Sequence, residues 1–232
     1  MDQAKFIGVV CGLKSEAQAV AASGDQANIR IGVSGAHAGR AEEIARGFCE
    51  QGASAIISVG VSGGLDPALE PGDLVIGETV VADDGSIYGA DNYLLSAVRA
   101  HLPSGVIVAA LFGADEIIDS AMKKSALFAN HGAVAVDMES HGAARAAARA
   151  GAPFLAIRAI ADPADRALPQ AAIKAVAPDG STRVWSTLGA ALRDPKQFSD
   201  LIKLGGDSAA ATKTLRRELG PLFVALTRVM DF

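Results

Sequence analysis

The sequence predicts an α/β fold in a single domain over residues 1–232, with an all-helical C-terminal part. Three observations support this prediction. Short apolar runs rich in β-branched residues alternate with segments of helical periodicity along most of the chain. No Pro/Ser-rich or charge-rich linker interrupts that alternation. Beyond Leu168 only helical patterns remain, so residues 168–232 are expected to be a helical extension of the same domain.

Composition excludes several classes of protein. Half of the 232 residues are apolar, which is enough for a sizeable core, and the formal net charge is −5. This charge, without a Lys/Arg cluster, argues against nucleic-acid binding. Cys11 and Cys49 lie far apart in apolar surroundings, which is typical of a reduced cytoplasmic protein. The run 6–13 is too short to span a membrane, although peripheral contact with the inner membrane stays open.

Strand signals divide the first half of the chain. The predicted strands are 6–10, 28–34, 55–61 and 74–81, and the short connection before the last indicates that its pairing partner is close by. Helices are predicted to begin near Lys14 and after Gly35. Loops are predicted from Ser62 to Asp73, beginning with the small residues Ser62, Gly63 and Gly64, and over 83–93.

The second half continues the alternation and then becomes helical. The predicted elements are helix 94–101, strand 106–112, a helix over 120–132 capped by Asp119, strand 133–138, an Ala-rich helix capped by Ser140 and ending at Gly151, and strand 154–160. Helices follow over 183–192, 198–204 and from about 208 to the end. The last carries an apolar stripe that is either core or a surface for an apolar substrate; its members are Leu215, Leu219, Leu222, Leu226 and Val229.

The stretch Ala133–Asp165 joins two predicted strands and places a carboxylate at the end of each. Glu139 follows the first strand and Asp162 the second. In open α/β sheets, ligands bind beyond the carboxyl ends of the strands, so these acids are candidates for chemistry. Glu16 falls in the first turn of a helix, where an acid also has a purely electrostatic explanation in the helix dipole. Asp115 and Glu116 follow another predicted strand, and they are explained at least as well as solvated loop residues as they are by a role in ligand binding.

Glycine-rich turns do not match a cofactor motif. Gly35 and Gly39 stand at a strand-to-helix junction that suits either an anion cradle or an ordinary turn, and the turn is the simpler reading. The GVSGG stretch from Gly60 lacks the third glycine and the helix of a dinucleotide-binding fingerprint, which argues against an NAD-dependent oxidoreductase. His37 has no ligand partner at a metal-binding spacing, so no metal site is predicted.

The assembled motifs resemble the purine and uridine phosphorylase family 1, including its nucleosidase branch. The resemblance rests on FIGVVCGLKSE, IISVGVSGGLDPALEPGDLVIGE, AVDMES and RAIADPAD, in that order. It implies a three-layer α/β/α sandwich around a mixed sheet, and cleavage of the N-glycosidic bond of an adenine nucleoside. It also implies a homo-oligomer without a cofactor, with inorganic phosphate as an alternative co-substrate. A non-catalytic nucleoside-binding protein on the same fold is the rival from another class.

The resemblance assigns the roles of the site residues. Glu16 corresponds to the acid that activates water, and Asp162 to the acid that protonates the purine at N7. Met138 and an ionised Glu139 correspond to the pair that binds the ribose. Ser62 and Gly63 correspond to the small-residue loop beside the sugar and the base, and Arg158 to the substrate-site arginine that leads into the catalytic aspartate. Ala161 departs from the family's serine, and no aromatic residue that would stack on the purine is found around 116–118.

Two finer expectations concern the nucleophile and the substrate. An anionic Glu16 stands where the family's phosphorylases carry a phosphate-binding turn, which favours water; Lys14, Arg40 and Arg158 are the candidates for binding phosphate. FGADEI, AVDMESHGAARAAARAG and ADPADRALP resemble the hopanoid-associated branch, which acts on adenosylhopane. This similarity implies a lipid-linked adenine nucleoside as substrate.

Overall fold

The computed structural model describes residues 5–24, 27–102, 105–168, 179–181 and 195–230. Within these ranges the strands are β1 (Ile7–Cys11), β2 (Ile29–Val33), β3 (Ala55–Gly64), β4 (Leu74–Ala82), β5 (Ile87–Gly89), β6 (Ile107–Gly113), β7 (Ala135–Asp137) and β8 (Phe154–Asp162). The helices are α1 (Lys14–Ala21), α2 (Ala38–Glu50), α3 (Asn92–Arg99), α4 (Ala121–His131), α5 (Ser140–Ala150) and α6 (Pro195–Val229). The predicted helix over 183–192 lies outside the described residues.

The strands form one mixed sheet in the order β2-β1-β3-β7-β6-β4-β5, with β8 pairing both β3 and β4. The pairs β1–β2, β1–β3, β3–β8, β4–β6 and β6–β7 are parallel, whereas β3–β7, β4–β5 and β4–β8 are antiparallel. The short connection before β4 does not make β4 a neighbour of β3. Strand β8, whose nine residues are all buried, lies between them.

Helices cover both faces of the sheet, which gives the three-layer α/β/α sandwich. One face packs against α1, α3 and α6, with Val20, Leu94 and Leu215 in the same apolar cluster as β1, β3 and β8. The other face packs against α2 and α5, which also contact each other. Alanines along α5 allow its close approach to α2 and the sheet.

Two loop predictions are wrong in detail. Ser62, Gly63 and Gly64, predicted to begin a loop, are the last three residues of β3. They remain in the strand because Gly63 and Gly64 pair with β7. Residues 87–89, predicted as loop, form the short edge strand β5, which pairs with β4. The polar, Gly-rich sequence around β5 gives no period-two signal, so its strand character depends on the tertiary neighbour.

Two predicted helix caps are also wrong. Ser120, not Asp119, caps α4 by accepting a hydrogen bond from the backbone N–H of Lys123. At the start of α5, Ser140 is the first helical residue rather than the cap. The Oδ1 atom of Asp137 accepts from the N–H groups of Glu139 and Ser140 instead, which joins the end of β7 to the helix.

The C-terminal segment is one helix where two were predicted. Gly205 and Gly206 lie inside α6 without ending it, because packing against the sheet outweighs the roughly 1 kcal/mol by which each glycine disfavours a helix. The apolar stripe belongs to the core, except that Val229 is 45% exposed. Leu215, Leu219, Leu222 and Leu226 share one apolar cluster with residues of β1, β3 and β8. In the part of the chain described here, no helix has the length and apolarity to cross a membrane.

Replacing Leu219 by Ala is expected to lower the free energy of unfolding by about 2–5 kcal/mol. Leu219 is fully buried between α6 and the sheet, so truncation removes apolar contacts and leaves a cavity. The matched change, Val224→Ala on the same helix, removes methyl groups from a side chain that is 49% exposed and is expected to cost under 1 kcal/mol. Urea denaturation of both variants checks this. Equal losses would show that α6 does not depend on its packed face.

Candidate active site

A cleft of about 350 Å³ opens where β1, β3 and β8 end. Its lining combines carboxylates with apolar side chains and small backbone-rich positions. The lining residues are Leu13, Glu16, Gly35, Ala36, Val61, Ser62, Gly63, Glu116, Ile117, Ile118, Val136, Asp137, Met138, Glu139, Ala161, Asp162, Leu168 and Leu204. Six of the seven site residues predicted from the sequence are in this set. The exception is Arg158.

The pairing of strands brings the acids together. Gly63 on β3 is in register with Asp162 on the parallel strand β8, after a bulge that gives β8 one extra residue, Ala161. Such a bulge redirects the following side chain, and here both Ala161 and Asp162 line the cleft. Strand β7 runs antiparallel to β3, so it carries Glu139 back toward the cleft rather than away from it. Glu139 therefore lies in the cleft as expected, but it follows a strand that is antiparallel to β3, not parallel to it.

Glu16 is held by three backbone amides. Its Oε2 atom accepts hydrogen bonds from the N–H groups of Gly12 and Leu13, each at 2.8 Å, and its Oε1 atom accepts from the N–H of Val61 at 2.8 Å. Burial raises the pKa of Glu16, and these N–H groups together with the charge of Arg158 oppose that rise. The helix-dipole explanation is therefore incomplete, because one oxygen leaves the helix and bonds a neighbouring strand. Oε1 retains a second lone pair for a ligand.

Glu139 is buried beside two other acids. Burial and the negative charges of Asp137 and Glu16 raise the pKa of Glu139 to about 8, while Arg158 opposes the shift. This shift favours the protonated carboxyl group in the free protein at neutral pH, and the expectation of an ionised Glu139 in the substrate-bound site stays a prediction. Glu139 becomes an anion only when the pH rises or when a ligand supplies compensating positive charge.

Asp162 pairs with a buried lysine. Its Oδ2 atom accepts a short hydrogen bond from Nζ of Lys124, and the same ammonium donates to the carbonyl oxygen of Pro163 at 2.8 Å. Burial raises the pKa of Asp162, whereas the charges of Lys124 and Arg166 lower it, and the net shift is upward. A raised pKa is what a carboxyl group needs in order to donate a proton near neutral pH.

Three glycines make room for the three carboxylates. A Cβ atom at Gly12 would overlap Oε1 of Glu139, and one at Gly60 would lie 3.0 Å from Oε1 of Glu16. A Cβ atom at Gly63 would lie 3.2 Å from Oδ2 of Asp162. The backbone approach that these glycines permit explains their placement at the ends of β1 and β3.

Arg158 does not reach the cleft. It is fully buried, donates to the hydroxyl of Ser58 at 2.6 Å, and its Nε lies 3.0 Å from Oδ2 of Asp137. Burial alone would raise the pKa of Asp137, but Arg158 and the N–H groups at the start of α5 bring it below its ordinary value. Direct substrate binding by Arg158 is therefore replaced by a structural role, in which it fixes Asp137 and hence the turn that carries Glu139.

Ser62 and Met138 lie where the sequence predicts ligand contacts. The hydroxyl oxygen of Ser62 is buried and has no hydrogen-bond partner among the described residues, which leaves it available to a ligand. Met138 is half-buried and lines the cleft next to Glu139. A polarizable thioether packs well on the apolar face of a sugar.

The junction after β2 is a turn and not an anion cradle. The N–H groups of Gly35 and Ala36 both donate to the carbonyl oxygen of Gly12, so neither is free to bind an anion. His37 caps α2 by accepting from the N–H of Arg40. The simpler of the two readings of this segment is therefore correct.

The acids after β6 divide between surface and cleft. Asp115 lies 3.1 Å from Nε2 of the buried His141, and its N–H donates to Asp83. Glu116 lines the cleft with Ile117 and Ile118. Among the described lining residues none is aromatic, so a bound base would contact aliphatic side chains. Within the described ranges, no group of three or more His, Cys, Asp or Glu side chains is arranged to hold a metal ion.

Sequence reasoning missed Lys124 and Asp137. Lys124 stands in KK, beside an exposed lysine, and nothing in the periodicity of α4 marks it as buried. Asp137 sits one residue before the recognised Met138–Glu139 pair. Its signal was local: an Asp three residues before the first helical residue is typical of a side chain that accepts from backbone N–H groups.

Comparison with known proteins finds a matching family and two curated enzymes that are similar to part of the chain. A family model described as the phosphorylase superfamily matches residues 29–193. A 5'-methylthioadenosine/S-adenosylhomocysteine nucleosidase of Marinomonas sp. is 31% identical over 138 residues, which cover 50% of this chain and 59% of that protein. A futalosine hydrolase of Streptomyces coelicolor is 31% identical over 125 residues, which cover 47% and 53%. The chain therefore matches little more than half the length of these curated relatives.

Solved structures share the fold over nearly the whole chain. The nucleosidase of Neisseria meningitidis in complex with methylthio-immucillin-A has a TM-score of 0.67 and 18% identity, with 93% of this chain and 98% of that chain covered. The futalosine hydrolase of Helicobacter pylori has a TM-score of 0.67 and 16% identity, with 93% and 97% covered. The family match extends over more than half of the sequence and includes β3, β7 and β8 of the cleft. The chain belongs to the phosphorylase superfamily.

Proposed function

We propose that this protein is an enzyme that cleaves the N-glycosidic bond of an adenine nucleoside with water and releases adenine. The observation that carries the proposal is one cleft that holds Glu16, Glu139 and Asp162, each in a different electrostatic environment. Breaking a ribosyl–purine bond puts positive charge on the sugar and negative charge on the base. Carboxylates beside the sugar and a proton donor beside the base stabilise such a transition state.

The chemistry divides among the three acids. Asp162 donates its proton to N7 of the purine while the C1′–N9 bond breaks and its electron pair passes to the base. Glu139 binds the ribose hydroxyls, and in its ionised form it stabilises the oxocarbenium-like sugar. The oxygen of water bonds to C1′ and gives a proton to Glu16. The proton balance closes when Glu16 loses this proton to solvent and Asp162 takes one up.

Water as the nucleophile is supported by the surroundings of Glu16, because no unpaired cation lies near it among the described residues. No Lys or Arg lines the cleft among the described residues. Of the candidates for phosphate binding, Lys14 pairs with Asp179 at 2.6 Å, Arg158 is occupied by Asp137 and Ser58, and a guanidinium nitrogen of Arg40 donates to the carbonyl oxygen of Gly35. A phosphate dianion at this position would face carboxylates without compensation.

We infer an apolar 5′ substituent, with adenosylhopane in hopanoid biosynthesis as the specific substrate. Four aliphatic side chains of the lining support an apolar group, namely Ile117, Ile118, Leu168 and Leu204. The hopanoid-like motifs after β6, β7 and β8 supply the specific assignment. The partial identity to a methylthioadenosine/S-adenosylhomocysteine nucleosidase favours a smaller 5′ group as the second candidate. A homo-oligomer, in the cytoplasm and in peripheral contact with the inner membrane, completes the proposal.

Adenine release is expected in phosphate-free buffer, and added inorganic phosphate is expected to change its rate by less than about twofold. The physical reason is that hydrolysis needs no anion at the site occupied by Glu16. The measurement follows adenine and the sugar product by chromatography, with adenosylhopane in detergent and methylthioadenosine offered separately. Formation of a ribose 1-phosphate product with strict phosphate dependence would refute the hydrolytic proposal. Purine nucleoside phosphorylase activity would then be the correct function.

Two other outcomes separate the remaining candidates. Release of adenine from methylthioadenosine alone would favour the second candidate over adenosylhopane. Tight binding of both nucleosides without any product would identify the non-catalytic, nucleoside-binding alternative. Each result is distinct, because substrate choice, nucleophile and turnover are read from different products.

A further inference from the structure

We propose that Lys124 is a positioning residue for this reaction: its buried ammonium orients Asp162 and holds the negative charge that Asp162 acquires when it gives its proton to the base. The inference rests on the proposed function and adds a residue from α4, an element that the catalytic acids do not use. Nothing in the sequence motifs points to this residue. The structure does, because the contact with Asp162 is direct.

Lys124 is a buried ion-pair partner of Asp162 and not a surface lysine. Its side chain is 1% exposed, so both its four methylenes and its ammonium are withdrawn from solvent. Its Nζ donates to Oδ2 of Asp162 and to the carbonyl oxygen of Pro163. These two bonds fix the carboxyl plane at the bulged end of β8. Oδ1 is the atom of Asp162 left for a ligand, since no described residue is bonded to it.

Lys124 stays an ammonium throughout, and the proton that moves is the one on Asp162. Burial favours the protonated form of Asp162 before the transfer. The adjacent ammonium stabilises the carboxylate that remains after the transfer, and Asp162 regains a proton from solvent once the base has left. Without Lys124 the transfer would leave a buried carboxylate with no direct ion-pair partner, which is costly.

Among the charged side chains near Asp162, Lys124 makes the direct ion pair with it. Arg166, in the loop after β8, acts on Asp162 through space but pairs with Asp207 of α6. Three other carboxyl groups line the cleft, namely Glu16 from α1, Glu139 before α5 and Glu116 after β6, and none of them can supply a compensating positive charge. Asp137 is already paired with Arg158 beneath the cleft.

The test compares Lys124→Met, Lys124→Arg and Lys123→Met. Methionine keeps much of the side-chain volume but removes the charge, and arginine restores a charge at the same position. Lys123 is the matched control, because it is the neighbouring residue on α4 and its ion pair with Asp119 is largely exposed. Circular dichroism and thermal unfolding establish that each variant is folded. The rate of adenine release is then measured as a function of pH, with the nucleoside that the wild type turns over best.

Lys124→Met is expected to lower kcat by at least about tenfold and to move the alkaline limb of the pH profile to higher pH. Loss of the cation makes Asp162 a weaker acid that keeps its proton longer. Lys124→Arg is expected to recover part of kcat and to return the limb toward its wild-type position. Lys123→Met is expected to match the wild type. Infrared difference spectra against Asp162→Asn provide a readout independent of turnover: the protonated carboxyl band of Asp162 should persist to higher pH in Lys124→Met.

An unchanged alkaline limb and an unchanged infrared titration in folded Lys124→Met would overturn the role of Lys124. A lowered kcat with both titrations unmoved would also overturn it, because that result describes a purely structural residue. Failure of the proposed function looks different, since the wild type itself would then release no adenine. The infrared titration would still decide whether Lys124 controls the protonation of Asp162.

Discussion

Asp162→Asn is expected to reduce kcat for adenine release by about 10²- to 10⁴-fold, the range attributed to a single general acid. Asparagine keeps the size and one hydrogen-bonding oxygen of Asp162, so the bulge at the end of β8 and the bond from Lys124 can persist. It has no acidic proton to give to N7. The leaving purine must then depart as an anion, which raises the barrier without removing the contacts that bind the nucleoside.

The measurement for Asp162→Asn separates chemistry from binding. KM is expected to change by only a few-fold, whereas kcat carries the loss. Asp165→Asn is the matched control, because Asp165 lies three residues further along the chain, in the loop after β8, and is exposed. It is expected to retain wild-type kinetics. If Asp162→Asn released adenine as fast as the wild type, the role of Asp162 as the acid would be wrong.

The sequence predicts most of the fold because its strands are short, apolar and bounded by turn residues. Strands β1, β3 and β8 and the starts of α1 and α2 lie within a few residues of their predicted positions. The order of strands is a different matter. A short connection suggests that β3 and β4 are neighbours, but β8, which is buried along its whole length, inserts between them. That insertion minimises exposed apolar area over the whole sheet, and no local pattern encodes it.

The candidate site was predictable where backbone motifs fix the residues and unpredictable where tertiary ion pairs do. Glu16, Glu139 and Asp162 lie at the ends of helices or strands, and nearby residues such as Gly12, Ser140 and Pro163 mark those ends in the sequence. Arg158 was assigned to the substrate because it precedes Asp162 on the same strand. Residues four apart on a strand share a face, so alternation does not separate the two. In the structure the guanidinium of Arg158 lies beneath the cleft, against Asp137 and Ser58. Lys124 is 38 residues from its partner, a separation at which charge pairing leaves no sequence signal.

Glu139→Gln is expected to lower kcat/KM by about 10²-fold or more, because glutamine cannot supply the anion that stabilises the oxocarbenium-like sugar. In the wild type that anion forms as the pH rises through the pKa of Glu139, about 8 in the free protein. The wild-type profile of kcat/KM should therefore carry a rising limb near this pH. The variant should lack that limb. An identical pH profile in the variant would show that Glu139 does not act through its charge.

The same substitution is expected to stabilise the protein at alkaline pH. The pKa of Glu139 rises from an ordinary 4.5 to about 8 on folding, so the folded state holds a proton that the unfolded chain releases. Stability from this group is complete below pH 4.5, declines as the pH rises, and is lost above about pH 8. Glutamine suffers no such loss, so Glu139→Gln should gain on the order of 5 kcal/mol over the wild type at pH 9 and little at pH 4.5. Urea unfolding at the two pH values measures the difference, with the exposed Glu43→Gln as a control that should show none.

A gain at pH 9 together with lost activity would mean that the cleft keeps three acids together at the expense of stability, which is typical of a site selected for catalysis. No pH-dependent gain would mean that Glu139 is ionised without cost, and its proposed role as a carboxyl group poised near pH 8 would be wrong.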